Sequence, residues 1–292
     1  MTIGVIGESL VDVFTDQGGS SHERPGGSPF NVAVALARLD IDVHLFTAIG
    51  DDPHGRMLTS HLRAEGVSVT TGRTSSKTSV ARAAIDPAGH ATYEFDLEWD
   101  PRFADDWPPL DLVHFGSLGS ALPPGAEEVR AVVDRLAKAC LVSYDPNWRA
   151  GLVAGDPQRI VEDNVARADV LKLSDDDASA IYPGVDLDDL ARRLLGLGPA
   201  LVVITKGAGG ASAWTAHTEK HVGTATVDVV DTIGAGDAFM ATLLSELADF
   251  DRARVEGLGR RELELVLEFA SFVAGKTCER AGADPPRLGE LF

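Results

Sequence analysis

The sequence predicts an α/β protein: a mostly parallel β-sheet with helices on both faces and a small β-strand lid. Three observations predict it. Short apolar runs alternate along the chain with segments of helical periodicity, the order that βαβ units produce. The apolar residues are mostly Ala, Val and Leu, and aromatics make up only 6% of the chain, which suits helices packed on parallel strands better than a β-sandwich. The 292 residues suffice for one large α/β domain with a substantial buried core.

The elements follow in order. Strands are expected at 3–6, 43–48, 112–115, 141–144, 170–173 and 201–205, and helices at 29–39, 55–65, 125–139, 158–168 and 187–195. Right-handed crossovers between parallel strands place those helices on both faces. Two regions interrupt the alternation. Residues 13–24 are polar and rich in Gly and Ser. Residues 78–100 hold two strand-like segments, 79–85 and 91–95, around Asp86-Pro87-Ala88-Gly89, a hairpin pattern. Together they read as a lid over the ligand edge of a single domain spanning 1–292; an ordinary edge hairpin is the competing reading. The last third changes character, with short strands at 211–214, 220–222 and 226–230, a Gly-rich turn, and long helices at 236–247 and 262–278. Ala270–Thr277 fits a relaxed phosphate-loop pattern, but it lies inside the last helix and carries one glycine, so it reads as core.

Charge narrows the function. With 26 basic and 45 acidic residues the net charge is −19, which disfavours nucleic acid and anionic membranes as partners. Small phosphorylated ligands remain open, because they need only local N–H groups and one or two cations. Lys is scarce, with six in the chain, and two of them, Lys172 and Lys206, fall at or just after expected strands. The two cysteines, Cys140 and Cys278, fit neither a metal pattern nor a disulfide framework, and Cys140 reads as a small buried hydrophobe. The eight histidines show no zinc spacing. The chain enters a strand pattern at once and has no apolar run of about 20 residues, so the cytoplasm is the expected location.

The most informative stretch is Asp231-Thr232-Ile233-Gly234-Ala235-Gly236-Asp237-Ala238-Phe239. A β-like run ends before it and an apolar helix begins at about Gly236. Gly234 and Gly236 let the backbone approach a ligand closely. The N–H groups of Ala235, Gly236 and Asp237 open at a helix N-terminus, where the dipole adds positive potential, and so form an anion cradle suited to a transferring phosphoryl group. A carboxylate beside a phosphate is unfavourable unless it has a task, and taking a proton from an attacking hydroxyl is such a task. Complementing the helix dipole is the alternative role for Asp237.

This string, with Gly26-Gly27-Ser28-Pro29-Phe30-Asn31-Val32-Ala33 upstream, resembles the two signature motifs of the PfkB (ribokinase-like) carbohydrate kinases. Ala48-Ile49-Gly50-Asp51-Asp52 resembles the family's G-x-I-G-x-D stretch, and Thr205-Lys206-Gly207-Ala208-Gly209-Gly210 its T-x-G-x-x-G nucleotide loop. The likeness spans residues 3 to about 283. It implies a ribokinase-like three-layer α/β/α fold, ATP as phosphate donor with Mg²⁺, K⁺ at a monovalent site, a sugar acceptor, and a homodimer formed through the lid. By the same resemblance Asp237 is the catalytic base and Gly234, Ala235 and Gly236 the anion hole. Asp12, Gly27 and Asn31 hold the sugar. Thr205, Lys206, Gly207 and Gly210 line the ATP phosphates and ribose. Asp231 and the Ile233 carbonyl, with the loop near Gly282, form the monovalent-cation site.

One segment departs from the family. Where an N-x-x-E is common, this chain reads Ser174-Asp175-Asp176-Asp177. Asp177 still reaches a metal through water, while Ser174 is equally suited to cap the following helix; Lys172 just before it faces the nucleotide phosphates. Gly7-Glu8-Ser9-Leu10-Val11-Asp12 and Tyr144-Asp145-Pro146-Asn147-Trp148-Arg149 resemble segments of bacterial fructokinases. The resemblance therefore implies fructose as acceptor, with Arg149 on a sugar oxygen or a phosphate, or else in a surface ion pair. The alternatives are 2-keto-3-deoxygluconate, ribose, and other hexoses or nucleosides. A dehydrogenase is disfavoured because no G-x-G-x-x-G follows the first strand, and a non-catalytic sugar-binding regulator because Asp237 and its glycines are intact.

Overall fold

The computed structural model describes residues 1–15, 20–72, 77–85, 91–224 and 226–292. The turn expected at Asp86-Pro87-Ala88-Gly89 lies outside the described residues. In chain order the elements are β1 (Thr2–Ile6), β2 (Leu10–Thr15), β3 (Ser21–Gly26), α1 (Ser28–Arg38), β4 (Asp42–Thr47), α2 (Pro53–Ala64), β5 (Ser68–Thr71), β6 (Ser79–Ile85) and β7 (Ala91–Asp96). They continue with β8 (Leu112–Gly116), α3 (Gly125–Leu136), β9 (Leu141–Asp145), α4 (Pro157–Val165), β10 (Val170–Ser174), α5 (Asp175–Ile181), α6 (Leu187–Leu195) and β11 (Leu201–Thr205). The last are β12 (Ala211–Trp214), β13 (Glu219–Val222), α7 (Ala235–Leu247), α8 (Arg252–Glu256) and α9 (Arg260–Cys278).

The main sheet has nine strands in the order β13-β12-β11-β10-β9-β8-β1-β4-β5. From β11 to β5 every pairing is parallel, and β12 and β13 extend the edge antiparallel. Continuous apolar runs form these strands because both faces are covered. In β11, Leu201 and Val203 point into one core, with α1, α7 and α9, while Val202 and Ile204 point into the other, with α3, α4 and α6. Helix α7 is apolar nearly all round and is buried accordingly. Side-chain caps fix the helix starts: the Asp52 carboxylate accepts from Gly55 N at 2.7 Å ahead of α2, and Asp186 does the same ahead of α6.

A second, smaller sheet runs β3-β2-β6-β7, with β2–β6 parallel and its two outer pairings antiparallel. Its hairpins leave the main fold between β1 and α1 and between β5 and β8. The polar segment 13–24 is thus, where described, made of strands β2 and β3: pairing along both edges of β2 overrides its weak strand composition. The strand expected at 226–230 is absent. Its β-branched residues find no strand partner; Val230 N and Asp231 N instead donate to the Cys278 carbonyl at the end of α9 (2.8 and 3.2 Å), and the Val229 and Val230 side chains are 61% and 65% exposed. The pseudo-phosphate loop 270–277 lies inside α9, as expected. Cys140 is half-buried rather than fully buried. Among the described residues, no helix is long and apolar enough to cross a membrane.

Candidate active site

In a parallel sheet the strand C-termini share one edge, where side chains converge on a crevice. Here that edge delivers Glu8 after β1, Ser117 after β8, Asp145 to Arg149 at and after β9, Ser174 at the end of β10 and Thr205 at the end of β11. Helices α1 and α7 start at the same edge, so their N-termini meet there.

Gly234 is the cap of α7 at φ 78°, and a Cβ on it would stand 2.6 Å from Ala283 Cβ, so the turn needs glycine. Of the three expected cradle donors, Ala235 N–H turns to Thr232 O at 3.3 Å. Those of Gly236 and Asp237 have no backbone acceptor among the described residues and are the donors left for an anion. Asp237 follows in the first turn. Its carboxylate is gripped from α1: Ser28 Oγ donates to Oδ1 at 2.7 Å and Asn31 Nδ2 donates to Oδ2 at 2.8 Å. Asn31, expected on the sugar, therefore also holds Asp237. Gly27 sets the start of α1 at φ 101°, and a Cβ there would come 2.7 Å from the Glu8 carbonyl oxygen.

One cavity of about 420 Å³ is bounded by Glu8, Asp12, Asn31, Arg149 and Asp237, and Leu10, Ala81 and Phe95 of the smaller sheet also line it. Glu8 is 5% exposed and accepts from Gly119 N at 2.7 Å. Burial pushes its carboxyl up from 4.5 to about 7, against hydrogen bonds from Ser117 and Gly119 and the charge of Arg149. Burial likewise raises Asp12 to about 6, opposed by Arg149. Ser117 and Asn147 border the same cavity at positive φ, 50° and 36°, and are tied by Asn147 Nδ2 to Ser117 Oγ at 3.3 Å. Such strain in non-glycine residues concentrates at functional sites.

A second cavity of about 880 Å³ adjoins the first, and Asn147, Lys172, Thr232 and Gly236 face both. It is lined by Thr205, Lys206, Gly207 and Gly210, the residues expected beside ATP, together with Val227, Val229 and the small residues Ser271, Ala274, Gly275 and Cys278 of α9. Lys172 is 4% exposed and donates to Asp145 Oδ2 at 2.8 Å. Burial works against its charge, but Asp145, then Asp177 and Asp237, outweigh it and hold the ammonium above its ordinary value. Burial pushes Asp145 upward while Lys172 holds it down. A Cβ on Gly236 would lie 3.4 Å from Lys172 Nζ, so this cation stands beside the cradle. The Lys206 ammonium donates to Ser212 Oγ at 2.9 Å on β12.

Asp177 and Ser174 form a reciprocal capping box on α5: Ser174 Oγ and N donate to Asp177 Oδ2 (2.7 and 3.1 Å) while Asp177 N donates to Ser174 Oγ (3.0 Å). Asp177 Oδ1 also accepts from Trp148 N at 2.7 Å, fixing the loop that carries Arg149. Of the two roles the sequence left open for this segment, capping is therefore realised. Asp231 staples the loop before α7 to the C-terminal segment, accepting from Ile233 N (3.1 Å) and Gly282 N (2.8 Å). Burial pushes its carboxyl up, but those hydrogen bonds outweigh burial and hold it low. Ile233 lines the smaller cavity.

Two adjoining cavities, a carboxylate at their junction and an anion cradle beside it have the geometry that group transfer requires. The model of the pfkB family carbohydrate kinases matches residues 3–288. The chain belongs to that family. It is an ATP-dependent carbohydrate kinase with the ribokinase-like three-layer α/β/α fold. Among curated relatives, it is 36% identical to a fructokinase of Rhizobium leguminosarum bv. trifolii over 234 residues, 76% of this chain and 71% of that one. It is 34% identical to a fructokinase of Klebsiella pneumoniae over 262 residues, 84% of each. Among solved structures, the fructokinase of Xylella fastidiosa with bound ATP superposes with a TM-score of 0.86 at 27% identity, covering 99% of this chain and 96% of that one. Against this kinase site, Glu8, Ser28, Ser117 and Asn147 were not singled out from the sequence. Glu8, Ser28 and Asn147 lie inside the quoted motifs and carried that much signal; Ser117 carried none.

Proposed function

We propose that this kinase transfers the γ-phosphoryl group of ATP to a hydroxyl of a neutral sugar, fructose first, with Asp237 as general base. The observation that carries the reading is the junction: Asp237 borders the smaller cavity, next to Gly236, which faces both. The sugar binds in the smaller cavity, against Asp12, Gly27, Asn31 and Arg149, with the smaller sheet as its lid. ATP binds in the larger one along Thr205–Gly210. Asp237 takes the proton from the attacking hydroxyl, whose oxygen bonds to the γ-phosphorus as the bond to the β-phosphate oxygen breaks and ADP leaves. The Gly236 and Asp237 N–H groups and Lys172 stabilise charge on the transferring group.

The charge of the smaller cavity supports a neutral acceptor. Glu8, Asp12 and Asp237 face it with Arg149 as counter-ion, and Lys172 is already matched by Asp145. A keto-acid sugar would bring a further carboxylate into that set. Among the described residues no group of three His, Cys, Asp or Glu side chains could hold a metal ion. The larger cavity nevertheless fits a divalent ion carried in on ATP, since Asp175, Asp176 and Asp177 border it and Mg²⁺ keeps most of its waters. Such an ion would offset phosphate charge. The oxygens of Asp177 already accept three donors, so it would act through water. Asp231, the Ile233 carbonyl and the Gly282 loop offer oxygens to K⁺, behind the cradle.

The test is Asp237→Asn in an ADP-release assay across fructose, ribose, glucose, adenosine and 2-keto-3-deoxygluconate. With fructose, kcat is expected to fall roughly 10²–10⁴-fold with sugar affinity nearly unchanged. Near-normal turnover would sink the base assignment, and a kcat/KM that peaks on the keto acid would sink the charge argument.

A further inference from the structure

Ser28 occupies an unusual place for a serine. Gly27 takes the cap position of α1, so Ser28 sits one residue inside, where a hydroxyl no longer reaches the open N–H groups of its own helix. It is 8% exposed. A hydroxyl has one proton to donate, and Ser28 gives it to Asp237 Oδ1 at 2.7 Å, across 209 residues of sequence. The backbone is built to aim it there. Gly27 at φ 101° turns the chain under Glu8, and Pro29 locks the first helical turn behind it.

With Asn31 on Oδ2 at 2.8 Å, the two donors fix the carboxylate plane. Charge-assisted bonds of this length are the strong ones. Each oxygen keeps lone-pair capacity beyond these bonds, and Asp237 lines the cavity where the acceptor hydroxyl would lie. We infer that Ser28 is a positioning residue for the phosphoryl transfer: its hydroxyl sets the rotation of the Asp237 carboxylate, and so the direction from which the acceptor proton is taken. This rests on the reading of Asp237 as general base. An alanine at the same place would keep the helix and leave the carboxylate free to rotate about its last side-chain bond, held at one oxygen instead of two.

The experiment is a kinetic cycle on the full chain with fructose and ATP: wild type, Ser28→Ala, Asp237→Asn and the double variant, with Ser28→Thr as the conservative control. In Ser28→Ala, kcat is expected to fall roughly tenfold, with KM for both substrates within about twofold, because a misaligned base slows the chemical step without loosening the ground state. Ser28→Thr, which keeps the hydroxyl, recovers most of that loss. In the Asp237→Asn background Ser28→Ala costs nothing further, since Ser28 acts through Asp237. Equal losses in both backgrounds, or a rise in KM with kcat unchanged, would overturn the inference. If Ser28→Ala does not fold, Ser28→Cys, a weak donor of similar size, is read the same way. The two readings fail separately: an active Asp237→Asn removes the base, whereas an inactive Asp237→Asn with an unimpaired Ser28→Ala removes only the role of Ser28.

Discussion

Replacing Glu8 by Gln is expected to stabilise the protein at neutral and alkaline pH and not at acid pH. Glu8 is buried at the acceptor cavity, and burial raises its carboxyl from 4.5 to about 7. Each pH unit between the two values is worth about 1.4 kcal/mol, so holding the ionised carboxylate in place costs about 3 kcal/mol. The sign follows from linkage. An acid raised on folding contributes its full share below pH 4.5, while protonated, and loses it as pH rises through about 7. Gln keeps the shape and an oxygen for Gly119 N, but does not ionise. The advantage of Glu8→Gln should be near zero at pH 4.5, grow through pH 7 and level off above it. At about 2–4 °C per kcal/mol for a chain of this size, the Tm gain at pH 8 is roughly 6–12 °C. Thermal melts of both proteins at pH 5 and pH 8 check this, with denaturant midpoints as a second measure. An equal offset at both pH values would refute the reasoning, because a packing effect does not track ionisation.

Two further substitutions test the neighbouring parts. Gly27→Ala must place a Cβ at φ 101° and against the Glu8 carbonyl; a loss of about 1–2 kcal/mol or more is expected, with kcat falling because Ser28 and Asn31 move with the turn, and unchanged melting and turnover would contradict the assigned geometry. Lys172→Met leaves Asp145 buried without its counter-ion, at a cost of about 3–5 kcal/mol. Adding Asp145→Asn should restore most of the stability but not ATP turnover, and recovery of both would show that Lys172 has no part in the chemistry.

How much of this could be read from the sequence depended on whether the cause was local. The central strands of the main sheet were legible because burial on both faces leaves an apolar run, as in residues 201–204, whereas the half-exposed edge strand β5 (Ser68–Thr71) was not expected. Strand β3 was not, since Ser21–Gly26 is largely exposed and becomes a strand only through pairing with β2. Residues 226–230 misled in the opposite sense: their composition suits a strand, but the sheet offers them no edge, and Val227 and Val229 line the larger cavity instead. The same distinction runs through the site. Gly234 and Asp237 could be placed because a helix N-terminus is local chemistry. The grip of Ser28 on Asp237 joins positions 209 residues apart, and the turn of Lys206 toward Ser212 depends on a strand pairing. Neither leaves a periodicity to read.

The unfavourable terms of this fold gather at one edge. Glu8 is buried at the cost of its ionisation, Lys172 and Asp145 form a buried ion pair, and Ser117 and Asn147 sit in strained backbone. Each would be easier to satisfy with an apolar side chain or a glycine. What offsets them lies elsewhere, in the two apolar cores on opposite faces of the sheet. That separation explains why substitutions at the edge should divide stability from turnover. Glu8→Gln relieves an ionisation cost and gains stability. Lys172→Met with Asp145→Asn removes a charge pair and loses chemistry. Neither reaches the packing that holds β1, β8, β9 and β10 side by side, and it is that packing which keeps the strand ends, and the groups they carry, at fixed spacing.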